Sequence, residues 1–258
     1  MTFILAILQA RISSSRLYGK VLKPILGKPM LEHQIDRVRQ SHKINELIVA
    51  TSNDPGDNEI ETLCQKIKVP CYRGNLNNVL DRFYQSAKTY KPEHIVRITG
   101  DCPLIDPEII DNVITYYFNN EFDYTSNALQ PTFPDGLDVE IFRFSILEKA
   151  WKEATLPSQL EHVTPFIYNQ PDQFNIGNYS NTENLSHMRW TVDEPEDFKF
   201  VTRIYEELYM TNPEFRMRDI LALLQRNPEL SMINCKFKRN EGMITSLNKD
   251  RKLINGKT

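Results

Sequence analysis

The chain has 258 residues, of which 40% are hydrophobic and 25% are charged, and its formal net charge is −3. These proportions are typical of a soluble globular protein, and the length suits one large domain or one domain with a small appendage. The charge balance argues against a nucleic-acid or membrane partner. No apolar run approaches the roughly 20 residues that span a bilayer.

The four cysteines of the chain lack the spacing of a metal-binding finger. Cys64, Cys71, Cys102 and Cys235 form no CxxC pair. Free thiols in a reducing compartment are therefore the simpler interpretation. The apolar run near the N-terminus has no charged segment before it and has the length of a strand, so we expect no signal peptide. These features together predict a cytoplasmic protein.

Strand-like and helix-like segments alternate through the first half of the chain. Short apolar runs predict strands at residues 3–8, 47–50, just before Arg73-Gly74, and 94–99. Amphipathic spacing predicts helices at 29–41, around 60–67, around 79–87 and around 110–117. Repeated strand–helix units of about 25 residues predict an α/β fold with a mostly parallel sheet and helices on both faces.

The second half of the chain is less regular. A turn-rich loop at 131–136 precedes a predicted strand at 138–143, and a further strand at 188–192 would bring Asp193 to its end. Helices are predicted at 145–154, 158–169, 195–210 and 216–226. The last 20 or so residues are polar and predict a flexible or partner-docked tail. We therefore divide the chain into a main domain at 1–228 and a tail at 229–258.

The loop after the first strand carries three cations, Arg11, Arg16 and Lys20, among small side chains. Backbone N–H groups beside fixed positive charge are typical of polyphosphate binding sites. The loop lacks the GxxxxGK[ST] spacing of a P-loop and the GxGxxG of a dinucleotide fold. A basic surface loop is the alternative interpretation. The position directly after a buried strand favours phosphate binding, since ligands of parallel sheets bind beyond the carboxyl ends of the strands.

Two acids follow predicted strands and could meet at the same edge of the sheet. Asp101 lies between Gly100 and Cys102-Pro103, and Asp193 lies two residues before Pro195. Mg²⁺ takes one or two carboxylates together with substrate phosphates, so this pair suits a magnesium site. The alternatives are a turn-forming role for Asp101 and a helix-capping role for Asp193.

A second group of polar residues could contact a polyhydroxylated substrate. Acids alternate through 135–140, and a carboxylate and an imidazole are adjacent at 161–162. Solvated surface charge is the alternative for both segments. An arginine at 189 offers a planar fork that matches a substrate carboxylate. The predicted substrate contacts are Asp135, Asp138, Glu140, Glu161, His162 and Arg189.

An ordered series of motifs resembles the CMP-sugar synthetase family, that is, the 3-deoxy-sugar-acid and acylneuraminate cytidylyltransferases. The series is Gln9-Ala10-Arg11, Ser15-Arg16-Leu17, Gly19-Lys20, Gly27-Lys28-Pro29, Gly100-Asp101-Cys102-Pro103-Leu104 and the segment 191–197. Other motifs are similar to the branch associated with spore-coat polysaccharide biosynthesis. They are Val79-Leu80-Asp81-Arg82, the segments 134–140 and 161–165, Arg189-Trp190, and Arg239-Asn240-Glu241-Gly242. The resemblance covers nearly the whole chain.

The resemblance implies a Rossmann-like nucleotidyltransferase fold with a small β-containing arm, and transfer of CMP from CTP to a sugar with release of pyrophosphate. The implied acceptor is an acidic 3-deoxy or nonulosonic-type sugar used in surface polysaccharide synthesis. Arg16, Lys20, Asp101 and Asp193 would be catalytic, with Mg²⁺, or alternatively Mn²⁺, on the two acids. The implied nucleotide contacts are Leu8, Gln9, Ala10, Arg11, Ser15, Arg16, Lys20, Thr51, Ser52, Arg73, Arg97 and Gly100. A homodimer is implied as well, in which an arm at about 130–190 reaches the partner's site.

The sequence departs from the family pattern at Tyr18, where the loop usually has proline, and at three consecutive serines that replace a glycine-bearing stretch. Two other functions stay open. A glycosyltransferase would use a nucleotide sugar as donor, but Asp101 has no second acid two residues on to form a DxD motif. A non-catalytic nucleotide-binding protein would bind CTP without metal-dependent turnover.

Overall fold

The computed structural model describes residues 2–237, 239 and 241–255. The strands are β1 (Ile4–Gln9), β2 (Pro24–Ile25), β3 (Lys28–Pro29), β4 (Glu46–Ser52), β5 (Cys71–Gly74), β6 (His94–Thr99), β7 (Tyr124–Ser126), β8 (Glu140–Arg143) and β9 (Ile176–Asn178). The helices are α1 (Met30–Val38), α2 (Asn58–Lys66), α3 (Val79–Lys88), α4 (Pro107–Asn119), α5 (Phe144–Glu153), α6 (Pro157–His162), α7 (Pro165–Tyr168), α8 (Pro195–Leu208), α9 (Met217–Arg226) and α10 (Glu241–Asn255). Across the described ranges, none of the helices has the length and apolar character needed to cross a membrane.

A seven-stranded sheet in the order β5-β4-β1-β6-β8-β7-β9 forms the centre of the molecule. Strands β5, β4, β1 and β6 are parallel to one another, as predicted for repeated strand–helix units. Strand β8 runs antiparallel to both β6 and β7, and β9 is parallel to β7. The prediction of a mostly parallel sheet is therefore confirmed.

Helices cover both faces of the sheet because the side chains of a strand alternate between its faces. In β1, Ile4, Ala6 and Leu8 pack into one hydrophobic cluster, together with apolar residues of α1, α2, α4, α8 and α9. Leu5 and Ile7 pack into a second cluster with residues of α3, α5 and α7. The continuous apolar run at the start of the chain is thus a strand that is buried on both sides.

Two predicted elements differ from the structure. The helix predicted at 158–169 is divided into α6 and α7, because Val163 adopts φ +72°, which no α-helix accommodates. The strand predicted at 188–192 is absent among the described residues, where a single bridge joins Asp135 to Arg189. Hydrophobic pattern alone could not show that this segment would lie beside a loop instead of another strand.

The end of the chain, expected to be a flexible or partner-docked tail, forms α10 in its described part. This helix packs on α6 of the same chain. The Asp250 carboxylate accepts a hydrogen bond from the Ser158 backbone N–H at 2.9 Å, and Asp250 is 5% exposed. The contact caps the first turn of α6 and fixes the position of α10 along it.

The glycine at 136 allows a close approach that the loop before β8 needs. Gly136 has φ +109°, and a Cβ atom there would lie 2.5 Å from the Thr191 backbone nitrogen. We expect Gly136→Ala to lower the free energy of unfolding by about 1–3 kcal/mol through backbone strain, and by more through the steric clash. Urea unfolding measures this loss.

Gly242→Ala is the matched control, since apart from its chain neighbours and the backbone of its own helix no described atom lies within 4 Å of the Cβ position at that glycine. It should leave the stability equal or slightly higher. Equal stabilities for the two variants would contradict a requirement for glycine at 136.

Candidate active site

A cavity of about 780 Å³ opens where β1 and β6 end. This is the edge at which the polar loops were predicted to meet. Sixteen of the predicted site residues line it: Gln9, Ala10, Arg11, Ser15, Arg16, Lys20, Arg97, Gly100, Asp101, Asp135, Asp138, Glu140, Glu161, His162, Arg189 and Asp193. The structure therefore brings together residues that are up to 184 positions apart in the chain (193 minus 9).

The basic loop between β1 and residue 20 is held in a closed shape by the backbone. Gly19 adopts the left-handed conformation at φ +69°, and its N–H donates to the Ile12 carbonyl at 3.0 Å. The Ile12 N–H donates to the buried Asp57 carboxylate at 2.7 Å. That carboxylate also accepts from Ser52 at the end of β4. Asp57 thus ties the basic loop to the neighbouring strand end.

Lys20 lies between the two acids that the sequence singled out. Its ammonium group lies 3.2 Å from an Asp101 oxygen and 2.8 Å from an Asp193 oxygen, and it donates to the Val192 carbonyl at 2.7 Å. Only 9% of the Lys20 side chain is exposed. Because a buried charge requires a compensating partner, the lysine and the two acids form one mutually dependent cluster.

The protonation states of this cluster follow from its geometry. Burial by itself raises the pKa of Asp101, but the Lys20 ammonium, together with hydrogen bonds from Thr99 and the backbone, outweighs burial and lowers that pKa to about 2. Burial by itself lowers the pKa of Lys20, but the charges of Asp101 and Asp193 outweigh it and raise that pKa. At neutral pH the cluster therefore holds an ionised Asp101 beside a charged lysine.

Arg189 is bound by protein carboxylates on three sides. It forms a bidentate pair with Asp197 at 2.9 Å for both bonds, and it contacts Asp135 and Asp193 at 3.2 Å each. The Asn234 amide supports Asp197 at 2.9 Å. These bonds orient Arg189 firmly, so its predicted pairing with a substrate carboxylate would have to compete with acids of the protein. That role stays a prediction.

Arg97 and Glu140 form a second buried pair across the junction of β6 and β8. The Arg97 guanidinium bonds Glu140 directly and also donates to the Gln9 side chain at 3.2 Å. The other Glu140 oxygen accepts from the Tyr124 and Thr164 hydroxyls at 2.6 Å each. Glu140 is therefore fully hydrogen-bonded, which suits a group that shapes the cavity wall.

Asp135 and Asp138 face the cavity, and Arg239 contacts both of them. Arg239 bonds Asp138 directly and lies 3.7 Å from an Asp135 oxygen. Burial, together with the Asp138 charge, raises the pKa of Asp135 to about 7 in spite of Arg239 and Arg189. Burial also raises the pKa of Asp138. The two acids therefore share a crowded position in which Arg239 limits their mutual repulsion.

Four predicted nucleotide contacts do not line the cavity. Leu8 is buried in the core and Thr51 is fully buried. Ser52 bonds Asp57, and Arg73 donates to the backbone carbonyls of Ser52 and Asp54 as well as to Asn58 and Glu61. Side-chain alternation along the strands and packing against neighbouring loops turn these side chains away from the cavity. Ser52 and Arg73 instead stabilise the loops beside it. All four predicted contacts with a nucleotide stay predictions.

The structure adds cavity residues that the site prediction omitted. They are chiefly Arg82, Tyr124, Thr164, Tyr168, and Gly242, Met243, Thr245 and Ser246 of α10. Arg82 is 2% exposed, and its Nε has no hydrogen-bond partner among the described residues. Burial, and then the charge of Arg11, lowers the pKa of Arg82 to about 10. The Val79–Arg82 and Arg239–Gly242 motifs pointed to these regions but gave no indication of which side chains would turn inward.

A divalent metal fits the chemistry of Asp101 and Asp193, since both present carboxylate oxygens to a single cation, Lys20. Within the described ranges, however, no group of three or more His, Cys, Asp or Glu residues is arranged to hold an ion. An ion bound here would therefore need oxygen ligands from a substrate, as Mg²⁺ does in phosphate sites.

The family model described as cytidylyltransferase matches residues 5–225. The chain belongs to the cytidylyltransferase family. Membership makes this cytidylyltransferase a nucleotidyltransferase, in agreement with the resemblance stated from its motifs. It also argues against the glycosyltransferase and the non-catalytic alternatives.

Relatives extend over most of this cytidylyltransferase. It is 39% identical over 240 residues to an uncharacterized protein, MJ1063, of Methanocaldococcus jannaschii, covering 92% of this chain and 96% of that protein. It is 34% identical over 236 residues to the spore coat polysaccharide biosynthesis protein SpsF of Bacillus subtilis, covering 89% and 97% respectively. A shorter match, 33% identical over 111 residues, covers 43% of this chain and 44% of the 3-deoxy-manno-octulosonate cytidylyltransferase of Geobacter sulfurreducens.

A solved structure shares the fold. A cytidylyltransferase from Leptospira borgpetersenii superimposes with a TM-score of 0.86 at 30% identity, covering 93% of this chain and 100% of that one. The Rossmann-like nucleotidyltransferase fold is therefore confirmed.

The charge of Lys20 should be measurable in the titration of Asp101. In Lys20→Met we expect the Asp101 pKa to rise from about 2 toward or beyond its ordinary value of 3.8, because burial is then opposed only by hydrogen bonds from Thr99 and the backbone. A lowered folded-state pKa gives stability that is present above pH 3.8 and is lost as the pH falls toward 2. The difference in free energy of unfolding between wild type and Lys20→Met should therefore become smaller as the pH falls through that window.

Carbon-detected NMR of the carboxyl groups measures the pKa, and urea unfolding at several pH values measures the stability. Lys43→Met, at an exposed lysine, is the matched control and should change neither. An Asp101 pKa that stays near 2 in Lys20→Met would show that Lys20 is not its cause.

Proposed function

We propose that this cytidylyltransferase transfers CMP from CTP to a sugar hydroxyl and releases pyrophosphate. The cluster of Lys20, Asp101 and Asp193 at the end of the basic loop is the observation that carries this proposal. Cations for phosphates and carboxylates for a metal meet there at the edge of a parallel sheet, where ligands of such sheets bind. The acceptor oxygen attacks the α-phosphorus, and the bond from that phosphorus to the β-phosphate oxygen breaks.

The basic loop would hold the triphosphate and the departing pyrophosphate. Lys20 is fixed by its two acids, and Arg16 lies 2.9 Å from Asp193. Arg11 lines the same cavity. Charges that are already in position when negative charge develops lower the barrier without reorganisation. Removing Lys20 or Arg16 would then cost on the order of 10²–10³ in rate.

Asp101 and Asp193 would hold a divalent ion together with substrate phosphate oxygens. When bound, such an ion neutralises charge at the reacting phosphate and favours ionisation of the acceptor hydroxyl. Mg²⁺ and Mn²⁺ both accept carboxylate oxygens of this kind. Lys20 lowers the pKa of Asp101 and so favours the ionised carboxylate that an ion requires.

The acceptor would occupy the half of the cavity lined by Asp135, Asp138, Glu161 and His162. Three carboxyl groups and one imidazole are suited to bind several sugar hydroxyls. The partial relative named 3-deoxy-manno-octulosonate cytidylyltransferase makes acidic 3-deoxy sugars the first class to test, and SpsF makes surface polysaccharide synthesis the pathway class. A homodimer with an arm at 130–190, and the division of the chain at residue 228, belong to the same proposal.

The first experiment measures pyrophosphate release with each nucleoside triphosphate and a panel of 3-deoxy sugar acids and common hexoses. We expect release that requires CTP, one class of sugar and a divalent ion. Removal of the ion with EDTA should abolish turnover, and Mg²⁺ or Mn²⁺ should restore it. No release with any pair would contradict the proposed function, and turnover in EDTA would contradict the metal assignment alone.

The two acids can be tested separately from the rest of the site. We expect Asp101→Asn and Asp193→Asn each to lower kcat by about 10²-fold or more, because each loses a metal ligand and a partner of Lys20. Asp172→Asn, at an exposed aspartate that does not line the cavity, is the matched control and should keep full activity. Activity within tenfold of wild type in both site variants would refute their assignment.

A further inference from the structure

Part of the cavity wall comes from the chain beyond the family match. That match ends at residue 225, but four residues near the start of α10 line the cavity: Gly242, Met243, Thr245 and Ser246. Arg239, just before α10, contacts the same wall. Residues outside the shared domain therefore help to build the site.

Arg239 holds the loop before β8. Its guanidinium bonds Asp138, donates to the Phe133 carbonyl at 3.2 Å, and lies 3.7 Å from an Asp135 oxygen. The Arg239 side chain is 13% exposed. The two acids that it contacts both face the cavity. Without Arg239, their like charges would repel and the loop carrying them would lose a fixed point.

Ser246 holds the end of α6. Its hydroxyl donates to a Glu161 carboxylate oxygen at 2.8 Å, which is shorter than its 3.4 Å distance to the Gly242 carbonyl. The single proton of the hydroxyl is used in that bond, so the Ser246 oxygen accepts from His162 Nε2 at 3.0 Å. Ser246 is 1% exposed. The serine therefore fixes both the carboxylate and the ring orientation of the imidazole.

Helix α10 is anchored independently of these contacts. Asp250 accepts from the Ser158 N–H at 2.9 Å, a contact that involves neither Arg239 nor Ser246. The segment thus reaches the cavity from a fixed base on α6. The loop at 133–138 and the end of α6 are joined through one stretch of chain.

We propose that Arg239 and Ser246 determine which acceptor sugar is used, by positioning the cavity groups that bind its hydroxyls. Each holds two groups of the proposed acceptor half: Asp135 and Asp138 for Arg239, Glu161 and His162 for Ser246. The inference rests on the proposed function. A site built from oriented hydrogen-bonding groups selects a sugar whose hydroxyls match them and rejects one that lacks a matching hydroxyl. Both residues act through others and are positioning residues.

The test is steady-state kinetics on the full chain with CTP and two acceptors, the best sugar of the panel and an analogue that lacks one hydroxyl. We expect Ser246→Ala and Arg239→Lys each to raise the acceptor KM by about tenfold and to reduce the preference for the best sugar. The KM for CTP should stay within about twofold, since neither residue touches the basic loop. Ser246→Thr, which keeps the hydroxyl, should restore selectivity.

Asn248→Ala, on the exposed side of the same helix, is the matched control and should behave as wild type. The inference would be overturned if a variant raised the KM for CTP as much as the KM for the acceptor, or if it left the preference between the two sugars unchanged. The proposed function would still stand in either case. A wild-type protein that turns over no acceptor would overturn the proposed function, and the inference with it. Thermal unfolding of each variant separates loss of selectivity from loss of fold.

Discussion

The arrangement of the active site depends on the attraction between one buried ammonium group and two carboxylates. Lys20 comes from the loop after β1, Asp101 follows β6, and Asp193 precedes α8. A lysine that is almost fully buried cannot stay charged without such partners, and the lysine in turn holds the pKa of Asp101 below its ordinary value. Three distant parts of the chain are therefore held at one point by a single electrostatic requirement.

The same requirement organises the rest of the cavity. Arg189 pairs with Asp197, Asp135 and Asp193, and Arg97 pairs with Glu140. Because these side chains are largely buried, each charge would be unfavourable without a partner and is stabilised by its opposite charge. Removing one partner would leave the others uncompensated, so the site tolerates conservative changes in charge better than deletions. The cost of burying so much charge is offset by groups preorganised for phosphates and a metal.

The two ends of the cavity are built from different parts of the chain. The phosphate end is built from the loop after β1 and the ends of β1 and β6, which lie within the matched family domain. The acceptor end receives part of its wall from α10, beyond that domain, and Arg239 contacts the acids of that wall. The proposed phosphate contacts and the proposed acceptor contacts thus come largely from different segments of the chain.

The regular part of the fold was predictable from the chain because local pattern determines it. The apolar runs gave β1, β4 and β6, and amphipathic spacing gave α1 to α4, with Asp106 capping α4 by accepting from the Glu108 N–H. The irregular second half was predicted less well. Strands β7 and β9 have three residues each, too short to show a pattern, and the positive φ of Val163 has no signature in residue type.

The sequence by itself determined which residues carry the chemistry: the cations of the first loop, the two acids after strand-like runs, and the motifs that indicated a cytidylyltransferase. Only the tertiary structure decided which charges pair. Arg189 meets three protein carboxylates, Ser52 and Arg73 turn toward neighbouring loops, and the C-terminal segment enters the cavity. Pairing depends on distances of a few ångströms between segments far apart in the chain. Residue type and spacing specify charge and local conformation, but they contain no such distances.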